Sequence, residues 1–118
     1  MKVVINRCYG GFGLSEEAMM MYSDVKRLNL KVVRDKKFDS LGITHYYLDG
    51  IESNETYFSD RRIERNDKEL VAIVELLGDK ANGGYADLRI VEIPDGVDWE
   101  IEEYDGKEWV SEVHRTWY

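Results

Sequence analysis

The sequence predicts an α+β domain, with two helices packed on a mainly antiparallel sheet. Three observations carry that reading. Ala18, Met21, Tyr22, Val25 and Leu28 recur at helical spacing, as do Leu70, Ile73, Val74 and Leu77. Val3-Val4-Ile5 is consecutive and short, as in a strand buried on both faces. The last third alternates apolar with acidic residues between two turn signals, which reads as a C-terminal three-stranded meander. A chain of 118 residues suits one domain, residues 1–118, and is short for two.

Taken in order, residues 2–8 form the first strand. Ser15 is placed to cap a helix whose first turn carries Glu16 and Glu17. Leu14 and Met19 stand at the spacing of a hydrophobic staple. Met19 and Met20 fall off the apolar stripe, either partly exposed or facing a second subunit. With a strand over residues 30–34, the first strand, loop and helix suggest a small βαβ-like unit. Residues 35–65 read as largely irregular, with short strands at His45-Tyr46-Tyr47-Leu48 and Thr56-Tyr57-Phe58. Asn66 and Glu69 have capping-box spacing before the second helix, which Gly78 is placed to stop. Asn82-Gly83-Gly84 is a connector. The meander follows: a strand around Leu88, Ile90 and Ile93, the turn Pro94-Asp95-Gly96, a strand from Val97, the turn Asp105-Gly106, and a strand over residues 109–113.

Composition narrows the function. The net charge of −8, from 16 basic and 24 acidic residues, opposes non-specific binding to nucleic acid or anionic membranes. One cysteine, Cys8, excludes an intrachain disulfide and reads as a small hydrophobe. One cysteine and two histidines do not make a metal site, and no cofactor is expected. With no signal-peptide pattern at the start and no apolar run of membrane-spanning length, a cytoplasmic location is expected.

The densest chemical signal is the loop after the first strand. Gly10, Gly11 and Gly13 are flanked by Asn6, Arg7, Tyr9 and Phe12. A strand, a glycine loop and a helix start can hold an anion on backbone N–H groups. Arg7 would then meet phosphate, Tyr9 or Phe12 would stack on a base, and Asn6 would read a base edge. The alternative is a tight turn with Phe12 folded into the core. The spacing matches neither a dinucleotide fingerprint nor a P-loop, and Glu16 and Glu17 would repel an anion at this helix end. Both readings stay open.

Arg61, Arg62 and Arg65 form the one dense basic cluster. The balance falls to phosphate contact for Arg61 and Arg62, and to a solvated surface offset by Asp60, Glu64 and Asp67 for Arg65. The tail offers His114, Arg115 and Trp117, which either complete a pocket or pin the terminus to the sheet. Catalysis is poorly supported. Glu100 and Glu102 alternate onto a wet face, and Ser15, Ser111, Cys8, His45 and His114 show no matching catalytic signature. No enzymatic activity is expected.

The stretches Val4 to Ser15 (Val-Ile-Asn-Arg-Cys-Tyr-Gly-Gly-Phe-Gly-Leu-Ser), Val91 to Ile101, and His114-Arg115-Thr116-Trp117 resemble a group of small phage and prophage proteins. Within such proteins, the chain is similar to the anti-CBASS sponges, which sequester cyclic nucleotide immune signals without cutting them. The resemblance implies a cyclic dinucleotide ligand, a homo-oligomer (a tetramer), and a location in the cytoplasm of the infected bacterial host. The candidate ligand residues, taken from their side-chain chemistry and not from a family motif, are Asn6, Arg7, Tyr9, Gly10, Gly11, Phe12, Arg61, Arg62, His114, Arg115 and Trp117.

Energetics tolerate this expectation. Nanomolar capture needs roughly −12 kcal/mol, stacking contributes about 1–3 kcal/mol per base, and bonds to charged groups about 1.5–3 kcal/mol each. Two bases and two phosphates suffice only in a preformed pocket, which a second subunit would help to build. Two alternatives remain. Asp98, Glu100, Glu102 and Glu103 suit an inhibitor that docks its acidic face on a host defence or nucleic-acid-handling protein. A signal-degrading enzyme is the other.

Overall fold

In a computed structural model that describes residues 1–34 and 44–113, the chain folds as α+β with every strand pair antiparallel. The elements are β1 (Lys2–Asn6), α1 (Glu16–Lys26), β2 (Lys31–Arg34), β3 (Thr44–Tyr47), β4 (Tyr57–Phe58), α2 (Lys68–Leu77), β5 (Leu88–Glu92), β6 (Trp99–Tyr104) and β7 (Lys107–Glu112). They make three small sheets: β1 with β5, β2-β3-β4, and the hairpin β6-β7.

β1 is the hub. Val3 and Val4 are fully buried and Ile5 almost so, as a consecutive apolar run demands. Val4 joins the main core with Met19, Tyr22, Phe58, Leu70 and Ile73. Ile5, on the opposite face, meets Val91, Ile93 and Val110 around a shallow concavity beneath the hairpin. Along one edge β1 pairs with β5. On its other edge, Val4 N–H donates to the Arg65 carbonyl (2.8 Å) and Asn6 N–H to the Glu108 carboxylate (2.8 Å).

This pairing corrects the expected meander. β5 takes β1 as its partner and leaves β6-β7 as a separate two-stranded hairpin. The N-terminus fixes the choice: Ile93 N–H donates to the Met1 carbonyl (2.8 Å), and the α-ammonium bonds the Ile93 carbonyl and Asp95, each at 2.9 Å. Gly96 (φ 79°) still turns the chain, but away from β5. The βαβ-like unit is not formed either, because β1 and β2 lie in different sheets. The strands expected near residues 30–34, 45–48 and 56–58 form as β2, β3 and β4, and they pair in one sheet.

Ser15 caps α1 by accepting from Ala18 N–H (3.1 Å). The buried face of α1 is rotated from the expected stripe. Ala18, Met19, Tyr22 and Ser23 are buried, and Val25 is exposed. Met19 is thus a core residue and meets no second subunit. Ser23 faces inward because its hydroxyl accepts from Leu30 N–H (3.1 Å), while Arg27 (φ 56°) ends the helix. The cap of α2 is Asp67 instead of Asn66, its carboxylate accepting from the N–H groups of Glu69 (2.9 Å) and Leu70 (3.2 Å). A carboxylate at a helix N-terminus also meets the positive end of the helix dipole. Gly78 (φ 57°) ends the helix as expected.

Asp67 also clasps the two helices. It accepts from the Tyr22 hydroxyl (3.0 Å) and pairs with Lys26 (3.1 Å), which reaches Glu69 as well (3.1 Å). Burial pushes the Asp67 carboxyl up, but bonds from Lys26, the Leu70 amide and Tyr22 outweigh it and hold the group below its ordinary 3.8. Burial, then the bond to Asp67, push the Tyr22 hydroxyl from 10.0 up to about 12. The signs differ in consequence. A depressed carboxyl contributes stability above 3.8 that is lost as pH falls through its native value; a raised phenol contributes stability below 10.0 that is lost as pH rises toward about 12. Urea unfolding across pH is therefore expected to show a plateau between these limits. Asp67→Asn should blunt the acid limb, and Tyr22→Phe the alkaline limb.

Candidate functional site

The glycine loop between β1 and α1 packs against backbone. Gly10 (φ 125°) lies against Tyr85, and a Cβ on Gly106 (φ 91°) would run into the amide nitrogens of Gly10 and Gly11. Gly10 N–H donates to the Asp105 carbonyl (3.3 Å), so the hairpin turn docks on the loop. A second seam joins Gly13 and Gly83, where Gly83 N–H donates to the Gly13 carbonyl (2.8 Å) and a Cβ on Gly83 would meet Gly13 at 2.8 Å.

Amides at both ends of the loop are committed within the chain. Arg7 N–H bonds the Asp87 carbonyl (2.8 Å), Leu14 N–H the Asp60 carboxylate (2.9 Å), and Ser15 N–H the Ala81 carbonyl (2.9 Å). The anion this loop holds is the chain's own Asp60.

Two aromatic and polar candidates are withdrawn from the surface. Asn6 is fully buried. Its amide donates to the carbonyls of Cys8 (2.7 Å) and Gly106 (2.8 Å), and its oxygen accepts from Asp87 N–H (2.8 Å). No donor or acceptor remains for a base edge. Phe12 is buried in the core, with the Arg65 guanidinium 3.5 Å from its ring centroid. That is the core reading of Phe12, and the ring offers no face to a ligand.

Arg65 is not a solvated surface charge. Its side chain is 15% exposed and pairs in fork-to-fork geometry with Glu108, which is 6% exposed, at 2.6 and 3.0 Å. Glu108 also accepts from the Asn6 backbone N–H, and the Arg65 carbonyl accepts from Val4 N–H. The pair therefore clamps the segment before α2, β1 and the hairpin together.

Beside this clamp lies an open groove of about 460 Å³, lined by Arg61, Arg62, Ile63, Glu64, Arg65, Asn66, Trp99 and Ile101. A short 3-10 turn, Asp60–Arg62, capped by the Ser59 hydroxyl on Arg61 N–H (3.2 Å), presents the first two arginines. Arg62 is braced by the Tyr57 carbonyl (3.1 Å) and by the Phe58 ring, 5.5 Å from its guanidinium. The Arg61 guanidinium reaches the glycine loop near Gly11 and has no ion-pair partner among the described residues. Trp99 and Ile101 form the apolar wall, on the inner face of β6.

Arg7 and Tyr9 are exposed and lie elsewhere. Arg7 lines a second concavity with Glu108 and Val110. The arginines expected to share one ligand are therefore divided, with Arg61 and Arg62 on one side of the hairpin and Arg7 on the other. His114, Arg115 and Trp117 lie outside the described residues. The chain matches no protein-family model, no curated protein and no solved structure with which it was compared. No helix among the described residues is long and apolar enough to cross a membrane.

Sequence reading missed Glu108 and Trp99. A signal was present: a two-residue Asp105-Gly106 turn sets Glu103 opposite Glu108 and Ile101 opposite Val110. That register puts Glu108 on the apolar face, where a carboxylate needs a cation.

The glycine seam gives a direct test. Gly106→Ala meets both positive φ and the Gly10–Gly11 backbone, and should cost about 2 kcal/mol or more in urea unfolding. Gly84→Ala, with nothing within 4 Å, should change stability by less than about 1 kcal/mol.

Proposed function

We propose that the protein binds and sequesters a cyclic nucleotide, a cyclic dinucleotide foremost, in the Arg61–Arg62–Trp99 groove and does not cleave it. The observation that carries this reading is the pairing of two accessible guanidinium groups with an indole wall in one groove. Arginine forks match phosphate oxygens, and an indole face stacks on any base. Arg62 is already braced, so little of its side-chain freedom remains to be lost on binding. Arg65 is spent on Glu108 and positions the groove without meeting the phosphate. Glu64 also lines the groove and opposes any anion there, so capture requires Arg61 and Arg62 to outweigh it, and the net charge of −8 disfavours extended nucleic acid.

The groove is open along one side. Enclosure by a second copy of the chain would supply the burial that tight capture requires, so the same reading includes a homo-oligomer. The setting that best fits the reading is a phage protein blunting a host immune signal in the infected bacterial cytoplasm.

Calorimetric titration with cyclic di-AMP, cyclic di-GMP, cyclic GMP–AMP and cyclic triadenylate tests the proposal. At least one should bind, and Arg61→Ala or Arg62→Ala should weaken it by about 1.5–3 kcal/mol each, with unfolding unchanged for Arg61→Ala and lowered by no more than about 1 kcal/mol for Arg62→Ala, which loses its contacts with Tyr57 and Phe58. Heat release after incubation should return the nucleotide intact. Recovered fragments, or no binding to any member of the panel, would overturn the reading.

A further inference from the structure

The hairpin β6-β7 leaves one edge unpaired. Val113 N–H donates to the Asp98 carbonyl (2.9 Å), and the Asp105-Gly106 turn closes on Tyr104 and Lys107. Antiparallel bonds alternate along a strand, so Asp98, Glu100, Glu102 and Tyr104 bond across to β7. Trp99, Ile101 and Glu103 therefore point their N–H and C=O groups away from it. Those outward groups have no backbone partner among the described residues. At six residues β6 is as long as any strand described, and β7 is the strand that lies beside β1. A row of outward N–H and C=O groups is a template for a further strand.

Side chains along this edge decide which strand it takes. The register sets Glu100 and Glu102 on the face turned away from Glu108 and Val110, and Trp99 and Ile101 on the inner face. Asp98, Glu100, Glu102 and Glu103 are exposed, and none is ion-paired among the described residues. Glu102 is held in place, because one carboxylate oxygen accepts from both the Trp109 indole N–H (2.8 Å) and the Ser111 hydroxyl (2.8 Å). Its second oxygen stays open. Lys107, a cation on the same face, is turned to Tyr9, 5.8 Å from the ring centroid.

Such an edge refuses a second copy of the chain. Two β6 strands paired antiparallel about Ile101 would set Glu100 against the partner's Glu102. Centring the pair on Trp99 sets Asp98 against the partner's Glu100, and centring it on Glu103 sets that carboxylate against itself. Like charges directly opposite are destabilising. A strand with basic residues at alternate positions turns each clash into an ion pair, and the apolar residues between them continue the Trp99–Ile101 face.

We infer that the β6 edge docks an extended segment of a partner protein, alternating basic with apolar residues, as a third strand of the hairpin sheet. Main-chain bonds to Trp99, Ile101 and Glu103 supply the attachment, and Glu100 and Glu102 select the charge. The inference does not rest on nucleotide capture in the Arg61–Arg62 groove.

The probe is a blocked, fluorescein-labelled heptapeptide that alternates lysine with valine, titrated into the full chain and read by anisotropy. One control has the same composition with its lysines and valines in two blocks, and another carries glutamate in place of lysine. The alternating basic peptide should bind at least about tenfold more tightly than either control. Its binding should slow amide hydrogen exchange at Trp99, Ile101 and Glu103, read by nuclear magnetic resonance. Glu100→Lys should weaken binding about tenfold. Glu103→Pro should weaken it more than Glu103→Gln does, since only proline removes an outward N–H. Both positions are exposed, and thermal melts check that the variants fold; should Glu103→Pro unfold, the exchange result on the unaltered chain decides. No binding, equal binding of the two-block peptide, unchanged exchange at those three amides, or insensitivity to Glu100→Lys would each overturn the inference.

Discussion

The ion pair between Arg65 and Glu108 is the constraint on which the architecture turns. Three parts of the chain, residues 4–6, 65 and 108, meet through it and the two β1 amides beside it. Taking two charges out of water is costly, and the cost is offset only when geometry is good and the remaining hydrogen-bonding capacity is met. Here the fork is bidentate, Asn6 N–H fills a further carboxylate position, and the guanidinium lies on the Phe12 ring. The outcome is an oriented hairpin. β6 contributes Trp99 and Ile101 to one groove, and β7 contributes Glu108 and Val110 to the other.

Glycine contacts complete that placement. Side chains would hold the hairpin turn away from the loop, whereas Gly10, Gly11 and Gly106 let the backbones touch, and Asn6 bridges to the Gly106 carbonyl. The loop that looks like an anion cradle is thus a structural joint. Its conformational demands are the same, positive φ and close approach, but the neighbour is another stretch of this chain. The cations around the joint are set apart, Arg61 beside one groove and Arg7 beside the other.

Much of the fold was legible because it follows from local rules. Ser15 as a cap, Gly78 as a stop, the Asp105-Gly106 hairpin and the doubly buried β1 all follow from propensity and periodicity. The partner of β5 was not legible, because Pro94-Asp95-Gly96 has the chemistry of a hairpin turn and the competing partner, β1, lies almost ninety positions away in the chain. The face of α1 was misread by one position, since Ser23 turns inward for a hydrogen bond that hydrophobic periodicity does not register. At the candidate sites, the residue types around the glycine loop were visible, but their fates were not. Asn6 and Phe12 are chemically apt ligands consumed by the fold, and Arg65 is a cation whose partner lies 43 residues further along.

A double-mutant cycle on Arg65→Met and Glu108→Leu, read by urea unfolding, tests the central claim most directly. Each single variant leaves an unpaired buried charge and should lose about 3–5 kcal/mol. The double variant should recover at least about 2 kcal/mol of the summed loss, giving a strong coupling between the two positions. Single losses that add to within about 0.5 kcal/mol would show that the two side chains act separately, and would contradict the account of the hairpin as held by their pairing.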